Sequence, residues 1–253
     1  MRPIPFVVLL SLLAHAHAQV ALPTGGQRFV DFSAHLAHPG VCVVVGTLDG
    51  WKEGKRERLA DGQLGGGGAV ASVSGTQFFK VQVTAGVKVR TTFVGKPTDV
   101  KLQFEVQLAR LPDGKERRQI AGGAELADDQ LALFVFTPAK KKGHVLCAAV
   151  PYDPKEEKGG EAAFVDSMRD YYVVNQRMAD LVRALDGFDK APDDAAKKAA
   201  AVALRELLDK KPELKVGKND GLLTMHCGPL EARAQKRLAD AAAADAAKAG
   251  DGK

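Results

Sequence analysis

The sequence predicts an α+β fold: a small antiparallel β-barrel or sandwich followed by two to three α-helices. Apolar and polar residues alternate between residues 79 and 108, which is typical of strands with one buried face. Short, unbroken apolar runs at residues 41–48, 131–136 and 143–150 indicate strands buried on both faces. After residue 160, apolar residues recur every three or four positions, which indicates amphipathic helices.

The first eighteen residues, 1–18, match the pattern of an export signal. Arg2 supplies a basic start, Ile4–Leu13 is an uncharged apolar run, and Ala16–Ala18 offers the small-x-small pattern that signal peptidase cleaves. The apolar run is too short for a helix that must cross about 30 Å of hydrocarbon. We therefore expect a cleaved signal peptide, a mature chain that starts at Gln19, and a periplasmic or extracellular location.

A β-rich domain is expected over residues 38–152, after a flexible lead-in at 19–37. Gly46 interrupts the first apolar run and suggests a bend or bulge in that strand. Trp51–Gly75 is polar, charged and rich in glycine, so the sequence predicts a long mobile loop there. Leu111–Gly114 combines Pro, Asp and Gly and predicts a tight turn.

A helical region is expected over residues 161–248. Its first helix should end near Gly187, and Pro192 followed by two Asp residues should open a second helix that ends near Lys210. A third helix should start near Pro229 and run into the alanine-rich tail. Because Leu238–Lys253 has almost no large apolar residue, we expect that last part to fray.

Composition limits the classes of partner. The chain has 36 Lys and Arg against 31 Asp and Glu, and its apolar fraction of 45% suffices for a buried core. The basic excess lies before residue 151. We interpret it as a solvated surface, with attraction of anionic partners as the alternative. Beyond the signal peptide no apolar stretch is long enough to span a membrane. We expect an unknown protein or an envelope component as partner, and not a nucleic acid.

Three cysteines, Cys42, Cys147 and Cys227, leave the disulfide pattern open. Export would place them in an oxidising compartment, where a bridge between Cys42 and Cys147 would close a long loop around the β-rich half. The alternative is that all of them are thiols acting as small apolar residues.

A histidine lies near each cysteine, which raises the question of a metal site. His38 precedes Cys42, His144 precedes Cys147, and His226 adjoins Cys227, while His35 adds a further imidazole. Imidazole and thiolate are good ligands for zinc and copper. The spacing matches no established ligand pattern, so we assign no metal ligand and expect loop or core positions instead.

Other candidate catalytic and binding residues are also explained better as structural ones. No serine lies in a nucleophile motif, and the four-glycine run at 65–68 lacks the Lys and Ser or Thr of a phosphate cradle. The remaining candidates are acidic pairs, which we interpret as solvated charge, and aromatic pairs, which could stack on a sugar or base but fit the core better: Asp128-Asp129, Glu156-Glu157, Tyr171-Tyr172 and Phe78-Phe79. The sequence therefore predicts no catalytic residue, no cofactor-binding residue and no cofactor.

The order of apolar runs in the first half carries a resemblance to known barrels. Val41–Gly46 opens the pattern, long alternating strands follow, and Leu131–Phe136 comes after an acidic turn. Over residues 38–152 this pattern resembles the small OB-like β-barrels of uncharacterised exported bacterial proteins, and more remotely the netrin-like domain of tissue inhibitors of metalloproteases. The helical tail resembles that of the same bacterial proteins, and the resemblance implies a barrel without a stated activity.

These observations favour a soluble, exported, non-enzymatic binding or interaction module of the periplasm or cell envelope. Two alternatives stay open: a secreted hydrolase whose active site is assembled from dispersed residues, and an envelope protein that binds metal through the His and Cys pairs.

Overall fold

The computed structural model describes residues 29–59, 75–97, 100–120, 126–127, 129–139, 143–155, 157 and 159–250. The predicted signal peptide, residues 1–18, lies outside the described residues, as do the first part of the lead-in and the four-glycine run.

Six strands form one sheet that closes into a barrel. They are β1 (Cys42–Arg58), β2 (Gln77–Val94), β3 (Lys101–Arg110), β4 (Glu116–Gln119), β5 (Leu131–Pro138) and β6 (His144–Pro151). The order is β2-β1-β5-β6-β3-β4, and a further pairing of β2 with β3 closes a ring that omits only β4. The α+β class is therefore confirmed, and of the two expected architectures the chain adopts the barrel.

One pair of neighbouring strands in this ring is parallel. Leu102 and Gln103 of β3 pair with His144 and Val145 of β6 in parallel register. The other pairings between described strands are antiparallel, as expected. Strand directions can alternate all the way around a closed ring only when the number of strands is even. A ring built from five strands must therefore contain at least one parallel pair.

The unbroken apolar runs are strands covered on both faces. In β1 and β5, Val44 and Phe134 point into the barrel, whereas Val43 and Leu133 point outward against Met168 of the first long helix. All of these side chains are fully buried, at 0% exposure. By contrast β2 alternates, because its outer face is exposed between the buried interior residues.

Strand β1 is longer than the sequence predicts. The polar stretch that starts at Trp51 was expected to be a loop, yet β1 continues to Arg58. Its partner is β2, with Lys52 opposite Thr84 and Arg56 opposite Val81. The ladder between them is irregular, with shifts in register on both sides of Lys52. Pairing with β2, rather than local composition, therefore makes this stretch a strand; residues 60–74 of the expected loop lie outside the described residues.

The segment before the barrel is ordered where it is described. Ser33–Ala37 forms a short 3-10 helix, and the preceding Phe32 is 1% exposed. Phe32 packs in the same apolar cluster as Phe164 and Met168. The second half of the lead-in expected at 19–37 therefore belongs to the folded body.

The helical region contains α1 (Gly160–Asp189), α2 (Asp194–Asp209), α3 (Asp220–Leu222) and α4 (Gly228–Gly250). A 3-10 turn at Gly217–Asn219 precedes α3, and a π-helical turn at Leu223–Cys227 joins α3 to α4. Asp193 caps α2 by accepting a hydrogen bond from the Ala196 N–H at 2.7 Å. None of the helices among the described residues is long and apolar enough to cross a membrane.

Helix α4 continues through Gly250, although the sequence analysis expects the tail from Leu238 to fray. Alanine has the highest intrinsic helix propensity, so an alanine-rich segment can extend an existing helix without large apolar contacts.

Helix α1 holds the rest of the helical region through buried polar side chains. Asp170, 1% exposed, accepts hydrogen bonds from the backbone N–H groups of Lys215 and Val216, each at 2.8 Å. Arg177, 5% exposed, forms an ion pair with Glu231 of α4 at 2.9 Å. A buried charge is stable only when paired, so these contacts fix the positions of the loop and of α4 against α1.

The possible bridge between Cys42 and Cys147 is absent, and all three cysteines are free. Cys42 faces the barrel interior from β1, whereas Cys147 on β6 packs with the outer apolar cluster. Strand β5 lies between β1 and β6. Two strand spacings amount to about 10 Å, beyond the roughly 7 Å over which two Cα atoms can be bridged. Of the two alternatives that the sequence left open, the structure adopts the free, largely buried thiols and not the bridge.

Candidate functional site

One end of the barrel carries a cluster of charged residues on the inner face of the sheet. We call it the arginine mouth and define it by eight residues: Trp51, Glu53, Arg56, Arg58, Phe79, Arg110, Glu116 and Arg118. Residues paired directly across antiparallel strands share a face. Arg56 pairs with Val81, and Arg118 pairs with Leu108; both partners are buried interior residues. The charged side chains therefore continue the inner surface of the barrel where its apolar filling ends.

Ion pairs between side chains link β1, β3 and β4 at this end of the barrel. Arg56 on β1 lies 2.7 Å from Glu53 and 2.9 Å from Glu116 on β4. Arg118 on β4 lies 3.4 Å from Glu53, and Arg110 on β3 lies 2.7 Å from Glu116. In the order of the described strands β1 and β4 are not neighbours. The side chains of the mouth thus connect two strands that backbone hydrogen bonds do not.

Aromatic rings lie against two of the guanidinium groups. The Arg110 guanidinium carbon is 5.6 Å from the centre of the Phe79 ring, and that of Arg118 is 5.2 Å from the centre of the Trp51 ring. Trp51 also makes an edge contact with Phe104 in the barrel, with ring centres 5.4 Å apart. A guanidinium within about 6 Å of a ring centre is attracted by the negative face of the ring, so both contacts help to hold the arginine side chains in place.

Neighbouring arginines keep the Glu116 carboxylate ionised. Hydrogen bonds from Arg110 and then Arg56 lower the pKa of Glu116, while those from Glu116 and Glu53 raise the pKa of Arg56. Four guanidinium groups face two carboxylates, so the mouth carries two net positive charges. Guanidinium groups stay protonated at neutral pH and act only as donors. The arrangement is therefore suited to binding oxyanions rather than to transferring protons.

The indole of Trp51 contributes a buried polar atom to the mouth. Its Nε1 is inaccessible to solvent and has no hydrogen-bond partner among the described residues. Buried donors are normally paired, so this N–H is an exception within the fold.

The His and Cys pairs lie at three separate places. His38 is exposed in the turn before β1, His144 packs edge-on against Phe136 with ring centres 5.1 Å apart, and His226 stacks on Phe29 at 3.9 Å. Within the described ranges no three His, Cys, Asp or Glu side chains come together as metal ligands. Burial lowers the pKa of His226 and raises that of Cys227 to about 11, so Cys227 is a poor thiolate ligand.

The remaining candidates named from the sequence have structural contacts or lie outside the described residues. Ser33 donates to Asp31 at 2.7 Å, and Ser167 accepts from Asn219 at 3.4 Å. Tyr171 is 3% exposed in the core under α1. Ser72, Ser74, Asp128, Glu156 and Gly65–Gly68 lie outside the described residues.

A concave surface of about 450 Å³ lies between α2 and α4. Its lining includes the apolar residues Val202 and Leu238, the basic residues Lys198 and Arg205, and several alanines.

The pattern of the sequence does not predict the arginine mouth as a site, although it contains one signal for it. Arg110 and Glu116 flank the predicted turn at Leu111–Gly114, and a hairpin across that turn pairs them, as the register of β3 and β4 does. Glu53 and Arg56 carried no such signal, because their stretch has the composition of a loop.

The comparisons with known proteins give no relatives: no family model, no curated protein and no solved structure matches this chain.

Proposed function

We propose that this protein is an exported, non-enzymatic binding module of the periplasm or cell envelope, and that the arginine mouth is its binding site. Export rests on the signal pattern of residues 1–18. The single observation that supports the mouth as the site is its uncompensated charge, held against aromatic rings at the end of a barrel.

The asymmetry of the fold supports the same assignment. Helix α1 covers the outer faces of β1, β5 and β6 with apolar side chains, so that flank is a packing surface. The mouth lies at the other extreme of β1, where side chains such as Arg110 and Arg118 remain 46% and 33% exposed. The helical region packs against one flank of the barrel, whereas the mouth remains exposed and can bind a partner.

The topology supports an OB-like interpretation of the barrel. Five strands closed into a ring with one extra hairpin strand are compatible with that group of small barrels, which present binding surfaces on their strands and loops. The helical region that follows adds a scaffold on one side only.

Binding to the cell envelope tests this function. Purified mature protein, starting at Gln19, is incubated with sedimented envelope fractions, and the bound fraction is measured against protein and salt concentration. A double variant, Arg58→Gln with Arg110→Gln, removes two charges from the mouth. A control double variant, Lys210→Gln with Lys211→Gln, removes two charges from exposed positions after α2.

We expect saturable binding that weakens with salt and is lost in the mouth variant but kept in the control. Equal binding by both variants would exclude the mouth as the site. A native protein that retains Met1 in a cytosolic fraction, as read by mass spectrometry, would exclude an exported function.

A further inference from the structure

We propose that the arginine mouth recognises a doubly charged oxyanion group, a phosphate or a dicarboxylate, held between Arg58 and Arg110 above the Phe79 ring. The inference rests on the proposed function, since it names the ligand chemistry of the same site.

The arginine mouth carries an excess of positive charge. Glu53 and Glu116 neutralise two of the four guanidinium groups of the mouth, which leaves two positive charges, and the side chains of Arg58 and Arg110 are both exposed to solvent. A singly charged carboxylate would leave one of these uncompensated. A dianion would balance the mouth, and phosphate groups near neutral pH carry a charge of about −1.5 to −2.

The mouth also has hydrogen-bond donors that its own carboxylates do not use. Arg56 directs Nε, Nη1 and Nη2 to the two carboxylates, so it is already occupied. Arg110 uses Nε and Nη2 for Glu116, which leaves Nη1 for a ligand. Arg58 makes no ion pair with any described residue and is exposed. These donors are the ones that can be directed to an incoming oxyanion.

Arg58 and Arg110 lie on the two strands next to Phe79. Arg58 pairs with Phe79 across β1 and β2, so the two side chains share the inner face. Arg110 reaches the same ring from β3. Arg58 and Arg110 therefore extend from β1 and β3, the two strands on either side of Phe79, and an oxyanion that reaches both side chains would gain charge-assisted hydrogen bonds from each.

The chain supplies its own reporter for the test. Trp51 is the single tryptophan of the chain, and it belongs to the mouth. Its fluorescence can be titrated with inorganic phosphate and, separately, with succinate, at constant ionic strength set by sodium chloride. The shift in melting temperature on adding each dianion is a second readout, because a ligand that binds only the folded state raises stability.

Arg58→Gln is the main test variant because Arg58 holds no ion pair among the described residues, so its removal leaves the Arg56–Glu116 contact in place. Lys52→Gln is the matched control: it removes one charge from the same strand at an exposed position opposite Thr84 on the outer face. We expect a saturable change in Trp51 fluorescence, a dissociation constant raised about tenfold in Arg58→Gln, and one within about twofold of wild type in Lys52→Gln.

Each outcome decides the proposal. A response to phosphate alone or to succinate alone supports it and selects the source of the oxyanion. No saturable change with either dianion, or equal affinities for Arg58→Gln and Lys52→Gln, overturns it. If envelope binding is lost in the mouth variant while neither dianion binds, the proposed function stands and only this ligand class fails.

Discussion

Asn175 of α1 is hydrogen-bonded to the backbone of Phe32, 143 residues earlier in the chain. Its Oδ1 accepts from the Phe32 N–H at 2.6 Å, and its Nδ2 donates to the Val30 carbonyl at 3.2 Å and the Tyr171 carbonyl at 2.9 Å. The side chain is fully buried, at 0% exposure. One amide thus joins the segment before the barrel to the helix that covers it.

Replacing Asn175 with Ala should lower the free energy of unfolding by about 1–3 kcal/mol, because the Phe32 N–H would remain buried without a partner. Urea denaturation measures the loss. Arg183→Ala removes an exposed ion pair on the same helix and should change stability by less than about 1 kcal/mol. Losses of equal size in the two variants would show that Asn175 does not hold the segment in place.

A second prediction concerns the pH dependence of stability. His226 stacks on Phe29, its Nε2 has no partner among the described residues, and burial lowers its pKa despite the nearby Asp31 carboxylate. Below about pH 6.5 an unfolded histidine takes up a proton that this buried ring resists. The unfolded state then binds more protons than the folded state. Stability should therefore fall as the pH falls below that value, by at most about 1.4 kcal/mol per pH unit from this group.

His226→Leu should reduce this loss of stability. The measurement is the free energy of unfolding at pH 7.5 and pH 5.5 for the wild type and the variant. His38→Leu, which removes an exposed imidazole, is the control and should keep the wild-type difference between the two pH values. If His226→Leu retains the full difference, groups other than this histidine are responsible for it.

Local sequence patterns predict where the strands lie in the chain, but they do not predict which strands pair with each other. Val81 and Val83 alternate with exposed residues, so the buried face of β2 can be predicted from sequence alone. The extension of β1 through Arg56 cannot, because a charged, glycine-bearing stretch becomes a strand only through its distant partner on β2.

The candidate site was hidden for the same reason. Arg56 and Glu116 are 60 residues apart, and each by itself has the pattern of a solvated charge. Strand register brings them within hydrogen-bond distance. The sequence left the disulfide pattern open because the apolar runs around Cys42 and Cys147 indicate burial, whereas neither the face of each cysteine nor the intervening β5 is encoded locally.

The third prediction concerns the thiols. Burial raises the pKa of both Cys42 and Cys227, in the second case to about 11, whereas Cys147 lies half-buried on the outer face of β6. Because the thiolate is the reactive form, a thiol reagent at pH 8 should modify Cys147 first, and the other two only when the protein unfolds. Quantifying modified peptides by mass spectrometry, with and without denaturant, measures this order.

The alanine variant Cys147→Ala provides the control for the thiol experiment, since it should abolish the fast modification and leave two thiols that react only in denaturant. Protein purified without reductant should show three reactive thiols per chain when it is unfolded, because β5 separates Cys42 from Cys147. Detection of only one reactive thiol per unfolded chain would mean that two of the cysteines form a bridge. Bridging these two positions would require β1 and β6 to approach across β5, which is incompatible with the strand order of the barrel.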